Sequence, residues 1–156
     1  GRDGDTIAIG DLALHPYTVP HDAQEPLQLT CTDGAARLGV LTDVGCTTPH
    51  LIAQLQRCEA LLLECNHDRE RLAQSRYPAF LKARIGGRLG HLANEAAGEI
   101  LREVHHAGLK HVVAAHLSLQ NNSPELARCA LALAIDCAPQ EFVVADAARG
   151  FDWLSL

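Results

Sequence analysis

Methionine is absent from the chain, even at position 1. A sequence that does not start where translation starts reads as a fragment or a processed product. Aromatic residues are scarce, with one Trp, two Tyr and three Phe, so the core has to be aliphatic. The six cysteines at 31, 46, 58, 65, 129 and 137 form no Cys-x-x-Cys pair. Thiols scattered through apolar runs suit a reducing cytoplasm rather than a disulfide framework or a zinc knuckle. No apolar run approaches the length of a membrane span and no secretory signal opens the chain, so no membrane partner is expected. Positive charge is in deficit: the net charge of −6 argues against nonspecific coating of nucleic acid. Repeats, low-complexity segments and linkers are also missing. The 156 residues read as a single unit long enough for a proper core.

Turn and cap signals divide the chain. Residues 6–19 predict two strands joined by a tight turn at Gly10-Asp11. Leu27–Thr32 and Arg37–Thr42 predict a hairpin around Asp33-Gly34, a favoured turn pair. Thr48-Pro49 caps a helix reaching about Arg57, and the apolar run Ala60–Glu64 is a buried strand ending in a carboxylate. Asp68 caps a short helix over 69–74, and Pro78 starts another over 79–85. Helical spacing of apolar residues runs from Leu92 to His106, with Gly108 as a stop. A strand at 111–115, a helix from Pro124 to about Ile135 and a strand near 142–145 follow, and Phe151–Leu154 reads as an added edge strand. The fold class is α/β.

Chemistry-bearing residues collect where these strands end. His21-Asp22, Asp43 before Gly45, Glu64 through Asp68, and His116 with Ser118, Asn121 and Asn122 all leave strands, while Gly90-His91 opens a helix. The carboxyl ends of strands are where open α/β sheets place ligands. Imidazoles and carboxylates are the ligand set of Zn²⁺ or Mn²⁺. Asp43 could bridge two cations, with His21 and His116 serving one each, and such a pair activates a shared water. The same residues are also ordinary turn and core residues, and spacing alone leaves that choice open.

Taken together, these five motifs in order resemble the second half of a metallo-β-lactamase-fold metallohydrolase. The nearest branch looks like the bacterial metallohydrolases and exonucleases around ribonuclease Z and the phosphoribosyl cyclic phosphodiesterase. The resemblance implies an αββα sandwich, of which residues 1–156 are the C-terminal αβ half. It implies a hydrolase of phosphodiester bonds in nucleic acid or nucleotides, using two divalent metal ions, Zn or Mn. His21, Asp43 and His116 then match metal ligands, His91 the proton donor to the leaving group, and Glu64 the residue that orients it. The family's His-x-His-x-Asp-His signature has no match in this chain. The resemblance therefore implies a partner, the missing N-terminal half, without which the chain binds metal weakly. An inactive, partner-complementing half and a thioester or small-ester hydrolase of the same fold are the rival readings.

A local excess of Arg69, Arg71, Arg76, Lys82, Arg84 and Arg88 over Asp68 and Glu70 suggests a phosphate-facing surface on an acidic chain. Solvated helix faces would look the same. His67, Arg84, Arg88, Ser118 and Asn121 are the expected substrate contacts, for a strand of DNA or RNA. Asp22 is either a support for His21 or a turn residue. His105, His106 and His111 read as surface residues. The sequence leaves oligomeric state open.

Overall fold

Aliphatic runs and their turn signals become seven strands in one sheet. The computed structural model describes residues 1–156. The strands are β1 (Ile7–Ile9), β2 (Leu12–Thr18), β3 (Leu27–Thr32), β4 (Arg37–Leu41), β5 (Ala60–Glu64), β6 (His111–Ala115) and β7 (Val143–Val144). They lie side by side in chain order, antiparallel from β1 to β4 and parallel from β4 to β7. Parallel neighbours require crossovers, and helices supply them. These are α1 (Pro49–Leu55), α2 (Arg69–Gln74), α3 (Ala79–Ile85), α4 (Asn94–Val104) and α5 (Pro124–Ile135). No helix is long and apolar enough to cross a membrane.

Three helix starts rest on the predicted caps. Thr48, Asp68 and Ser123 side chains accept from the backbone N–H groups of Leu51, Arg71 and Leu126. The core lies between one sheet face and the helices. Leu41, Leu61, Leu63, Val112 and Ala114 meet Leu51 and Leu55 of α1, Ile100 and Leu101 of α4, and Leu131 of α5. Full burial of each such leucine contributes about 1.5–3 kcal/mol. Helices α4 and α5 pack closely at Gly98, where an added Cβ would sit 3.1 Å from both the Ala130 carbonyl oxygen and the Ala134 methyl.

The other sheet face follows from register, because paired residues point the same way. One row crosses it as Leu14, Cys31, Leu38 and Ala60, and a second as Pro16, Leu29, Val40, Leu62 and Val113. No helix covers these rows. At one end Phe151, Leu154 and Leu156 lie over Leu38, Leu62 and Val113 around a cavity of about 330 Å³.

Three sequence expectations need correction. Phe151–Leu154 forms no strand; it crosses the sheet face, and the only pairing nearby is an isolated bridge between Asp146 and Gly150. Helix α4 ends at Val104 rather than near Gly108, because His105 leaves helical backbone angles as its cap. His106 is half-buried, its Nε2 donating to the Cys58 carbonyl at 3.0 Å, and is no free surface residue.

Candidate metal centre

Three adjacent parallel-strand ends build the site. Glu64 is the last residue of β5, His116 follows β6 directly, and Asp43 comes two residues after β4. Asp43 (φ 51°) and His116 (φ 58°) both adopt the left-handed conformation, which L-residues disfavour. Such strain at strand ends is typical of functional sites, where it aims side chains against backbone preference.

The remaining corner is the segment between α3 and α4. His91 lies there, three residues before α4, so it does not open that helix; Ala93 is the N-cap and caps with no side chain. The segment is held by backbone bonds from His91 N to the Ile85 oxygen (2.8 Å), Asp22 N to the Leu89 oxygen (2.9 Å) and Asn66 N to the Leu92 oxygen (2.9 Å). Gly45 and Gly90 make the approach possible. A Cβ on Gly45 would fall 2.4 Å from the Arg88 oxygen, and one on Gly90 would fall 2.1 Å from the Arg84 oxygen.

Glu64 is the hub, with no exposed surface. Its Oε1 accepts from His91 Nδ1 (2.8 Å) and His116 Nδ1 (3.0 Å), and its Oε2 accepts from the Val44 amide (2.8 Å). Burial pushes its pKa up, but the bonds from His116, His91 and Val44 outweigh burial and leave it below the usual carboxylate range. Glu64 is therefore ionised, and its bond raises the pKa of His116 against the opposing effect of burial. His21 is oriented the same way by a backbone group, its Nδ1 donating to the Gly90 carbonyl at 2.9 Å. All three rings thus spend Nδ1–H on a fixed acceptor. That sets the tautomer in which Nε2 carries the lone pair, as in metal-ligating histidines.

The free edges of two rings converge on Asp43 Oδ1, which lies 3.8 Å from His21 Nε2 and 3.7 Å from His116 Nε2, while His91 approaches it with the Nδ1 already bonded to Glu64, at 3.8 Å. Adjacent ligands of a tetrahedral cation stand about 3.4 Å apart when bonds are about 2.1 Å, so the donor set fits a Zn²⁺ or Mn²⁺ site by chemistry and spacing. The tightest group is Asp43, His91 and His116, whose ligand atoms all lie within 4.8 Å of one another. His21 stands on the flank, its ring 5.3 Å from that of His91.

The expected substrate contacts separate into two kinds. Arg84 is at the rim, bonded to Asp22 Oδ2 at 2.7 Å, and shares a cavity of about 290 Å³ with His21 and His91. Asp22 also lies 3.7 Å from His21 Nε2, so it is tied both to the candidate ligand and to the arginine. Arg88 is exposed and carries the backbone oxygen packed against Gly45. Ser118 Oγ accepts from the Asn121 amide at 3.1 Å and sits beside His116 in a cavity of about 750 Å³. His67, by contrast, is 2% exposed and pairs its backbone with Ala93. That pairing ties its backbone to the His91 segment, and its side chain is buried rather than at the open rim. Several supports join segments distant in sequence: the Val44 amide, the Gly90 carbonyl, and the mutual amide pair of Asn94 and Asn122 (2.9 Å each way).

No family model matches the chain. Among curated proteins it is 35% identical over 133 residues to the exodeoxyribonuclease YycJ of Bacillus anthracis, covering 85% of the chain and 50% of that protein. It is 33% identical over 124 residues to the exodeoxyribonuclease WalJ of Streptococcus pneumoniae, covering 80% of the chain and 46% of that protein. The chain thus spans about half the length of the curated relatives it matches. Its fold matches the metallo-β-lactamase-fold protein YhfI of Bacillus subtilis with a TM-score of 0.73 at 18% identity, over 98% of the chain and 54% of that one. Zn(2+)-bound PqqB from Methylobacterium extorquens matches with a TM-score of 0.61 at 17% identity, over 96% and 52%. Mixed sheet, strand-end histidines and aspartate, and these neighbours together make the class of fold plain: the chain has the fold of the metallo-β-lactamase-like proteins. Within that class, the curated relatives that share a third of its residues carry the name exodeoxyribonuclease.

Proposed function

We propose that this chain forms one half of a metal-dependent phosphodiesterase acting on nucleic acid or nucleotides, in the reducing cytoplasm that its six free cysteines suit. The observation that carries the reading is buried Glu64 joining His91 and His116 around Asp43. The names of the curated relatives support DNA as the substrate class. His21, Asp43 and His116 would hold the cations, Zn or Mn, which supply an acidified water and neutralise phosphoryl charge. Asp43 stands centrally enough to serve two of them. His91, pinned at Nδ1–H by Glu64, would act as the doubly protonated imidazolium, giving its second proton from Nε2 to the departing alkoxide and returning to the neutral ring. Arg84 at the rim and the Ser118 loop would hold the strand. The remaining part of the fold would bring the missing ligands and cover the apolar rows of the open sheet face.

The tight trio of Asp43, His91 and His116 favours a second assignment, in which His91 is a ligand and His21 the outer residue. Metal analysis of His91→Ala and His21→Ala separates the two, since only loss of a ligand lowers metal content. The substrate class is tested on the full-length product of the gene encoding this chain. Single- and double-stranded DNA, bis-nitrophenyl phosphate, a thioester and nitrocefin form the panel. Cleavage of the phosphodiesters with Mn²⁺ or Zn²⁺ is expected, and a preference for the thioester would overturn the proposal.

A further inference from the structure

The arginine-rich stretch is sorted by the fold in a way the metal site does not use. Arg69 is paired with Glu95 at 3.2 Å and Arg84 with Asp22 at 2.7 Å. Arg71 and Arg76 are paired with no carboxylate. These two line one cavity of about 350 Å³, together with Gln74, Ser75, Gln120 and Asn121, and no apolar residue contributes to it. Arg71 is held in place by its Nη1, which donates to the Asn122 carbonyl at 2.9 Å and leaves its other guanidinium N–H groups uncommitted. Of the acidic groups nearby, Glu70 accepts from Gln74 at 2.9 Å and Asp68 caps α2, while Glu125 is near enough for the Arg71 charge to help lower its pKa without forming an ion pair.

This cavity is joined to the metal centre by one loop. Residues 117–123 follow His116 directly. On one side His116 and Ser118 line the larger cavity, and on the other Gln120 and Asn121 line the arginine cavity. The loop is fixed by backbone bonds from Ser118 N to the Asn66 oxygen (2.8 Å) and from Asp68 N to the Asn121 oxygen (2.9 Å). Five Cα-to-Cα steps, at most about 18 Å even when extended, separate His116 from Asn121. An all-polar recess with two guanidinium groups that form no ion pair, one of them pre-positioned, fits a phosphodiester anion better than a base or an apolar group.

We infer that Arg71 and Arg76, with Gln120, form a subsite for a non-scissile phosphate of a polynucleotide strand passing over the 117–123 loop. The inference rests on the nucleic-acid reading above. It makes the enzyme a strand binder with contacts beyond the scissile bond. The fixed guanidinium of Arg71 sets strand position, while Arg76 adds charge.

The test is binding of a fluorescent single-stranded oligonucleotide to the full-length product, with EDTA present so that cleavage plays no part. Each phosphate contact to a single strand contributes about 0.7 to the slope of log K against log salt. Loss of both arginines frees that one phosphate and should therefore flatten the slope by about 0.7, equivalent to roughly fivefold weaker binding at 0.1 M salt relative to 1 M. Arg69→Ala, which removes an arginine already paired, is the control and should shift binding far less. Arg76→Glu alone is exposed at the surface and keeps the test decisive if Arg71→Ala unfolds. An unchanged slope in the arginine variants, or an equal change in Arg69→Ala, would overturn the subsite. Failure of the wild type to cleave any phosphodiester with metal added would instead overturn the functional reading, and the binding result would stand apart from it.

Discussion

Replacing Glu64 with Gln keeps the shape of the hub and removes its charge. The carboxylate accepts three hydrogen bonds at 2.8–3.0 Å from a position with no exposed surface. A carboxamide has one acceptor end and one donor end, so neither orientation satisfies the site. With its oxygen toward the imidazoles, its NH₂ confronts the buried Val44 amide. With its oxygen toward Val44, the NH₂ confronts two Nδ1–H groups, which are relieved only if the rings move their protons to Nε2. That second outcome occupies the lone pairs that face Asp43. Hydrogen bonds to a charged group contribute about 1.5–3 kcal/mol each, and a buried unsatisfied donor costs about 1–3 kcal/mol. Glu64→Gln should therefore destabilise the protein by roughly 2–4 kcal/mol at pH 6, a large share of a typical total of about 5–15 kcal/mol. The loss depends on pH in a defined way. Glu64 has a lowered pKa in the fold, so its contribution is present above about pH 4.3 and disappears as pH falls through its folded value. His116 has a raised pKa, so its contribution is complete below about pH 6.5 and disappears as pH rises through its folded value. The difference between wild type and variant should be widest in the mildly acid window between these limits. Urea unfolding from pH 4 to 9 measures it. A loss under about 0.5 kcal/mol throughout, or one that grows steadily toward alkaline pH, would refute the hub argument.

Gly45→Ala should destabilise by about 1–3 kcal/mol or more, since the new Cβ would lie 2.4 Å from a backbone oxygen that cannot swing away; thermal melting checks it, and a neutral effect would show that the His91 segment yields easily. Burial lowers the pKa of His67, so the unfolded chain takes up its proton first and stability should fall as pH drops below about 6.5. His67→Gln should flatten that part of the stability profile, and an unchanged profile would contradict it. The chain alone should retain little metal after dialysis, because its own residues offer only one tight group of three ligands; elemental analysis finding about two ions per chain would count against this. In the full-length product, His91→Ala should slow an alkyl phosphodiester by roughly 10²–10⁴-fold and a nitrophenyl ester far less, because nitrophenolate leaves without a proton. Equal losses on the two esters, with metal intact, would remove His91 from that role.

Most elements were legible because their signals are local. Thr48-Pro49, Asp68 and Ser123-Pro124 start α1, α2 and α5 where expected, since a capping side chain and the amide it serves are three residues apart. Phe151–Leu154 misled because β-like composition does not provide an unpaired strand to join. The five residues of the centre were named from strand ends and family likeness, and the fold brings them together. Three further facts depend on closure of distant segments and leave no trace in spacing. They are that Glu64 serves His91 and His116 at once, that Asp43 and His116 are left-handed, and that Arg84 is ion-paired while Arg71 is not. His67 looked like a rim residue by proximity to Glu64, but β5 gives way to a segment that buries its imidazole and bridges to Ala93.

The sheet's strand order, identical to chain order from β1 to β7, bears on how the molecule is made. Every strand meets its partner in the segment synthesised just before it, so no strand has to wait for a distant piece of chain. The sheet can grow by accretion on the ribosome, each crossover helix sealing one face as it emerges. During that growth one margin of the sheet stays at β1 and the other is always the newest strand, and the last strand of this sheet, β7, is only two residues long. So short a last strand offers other chains almost nothing to pair with.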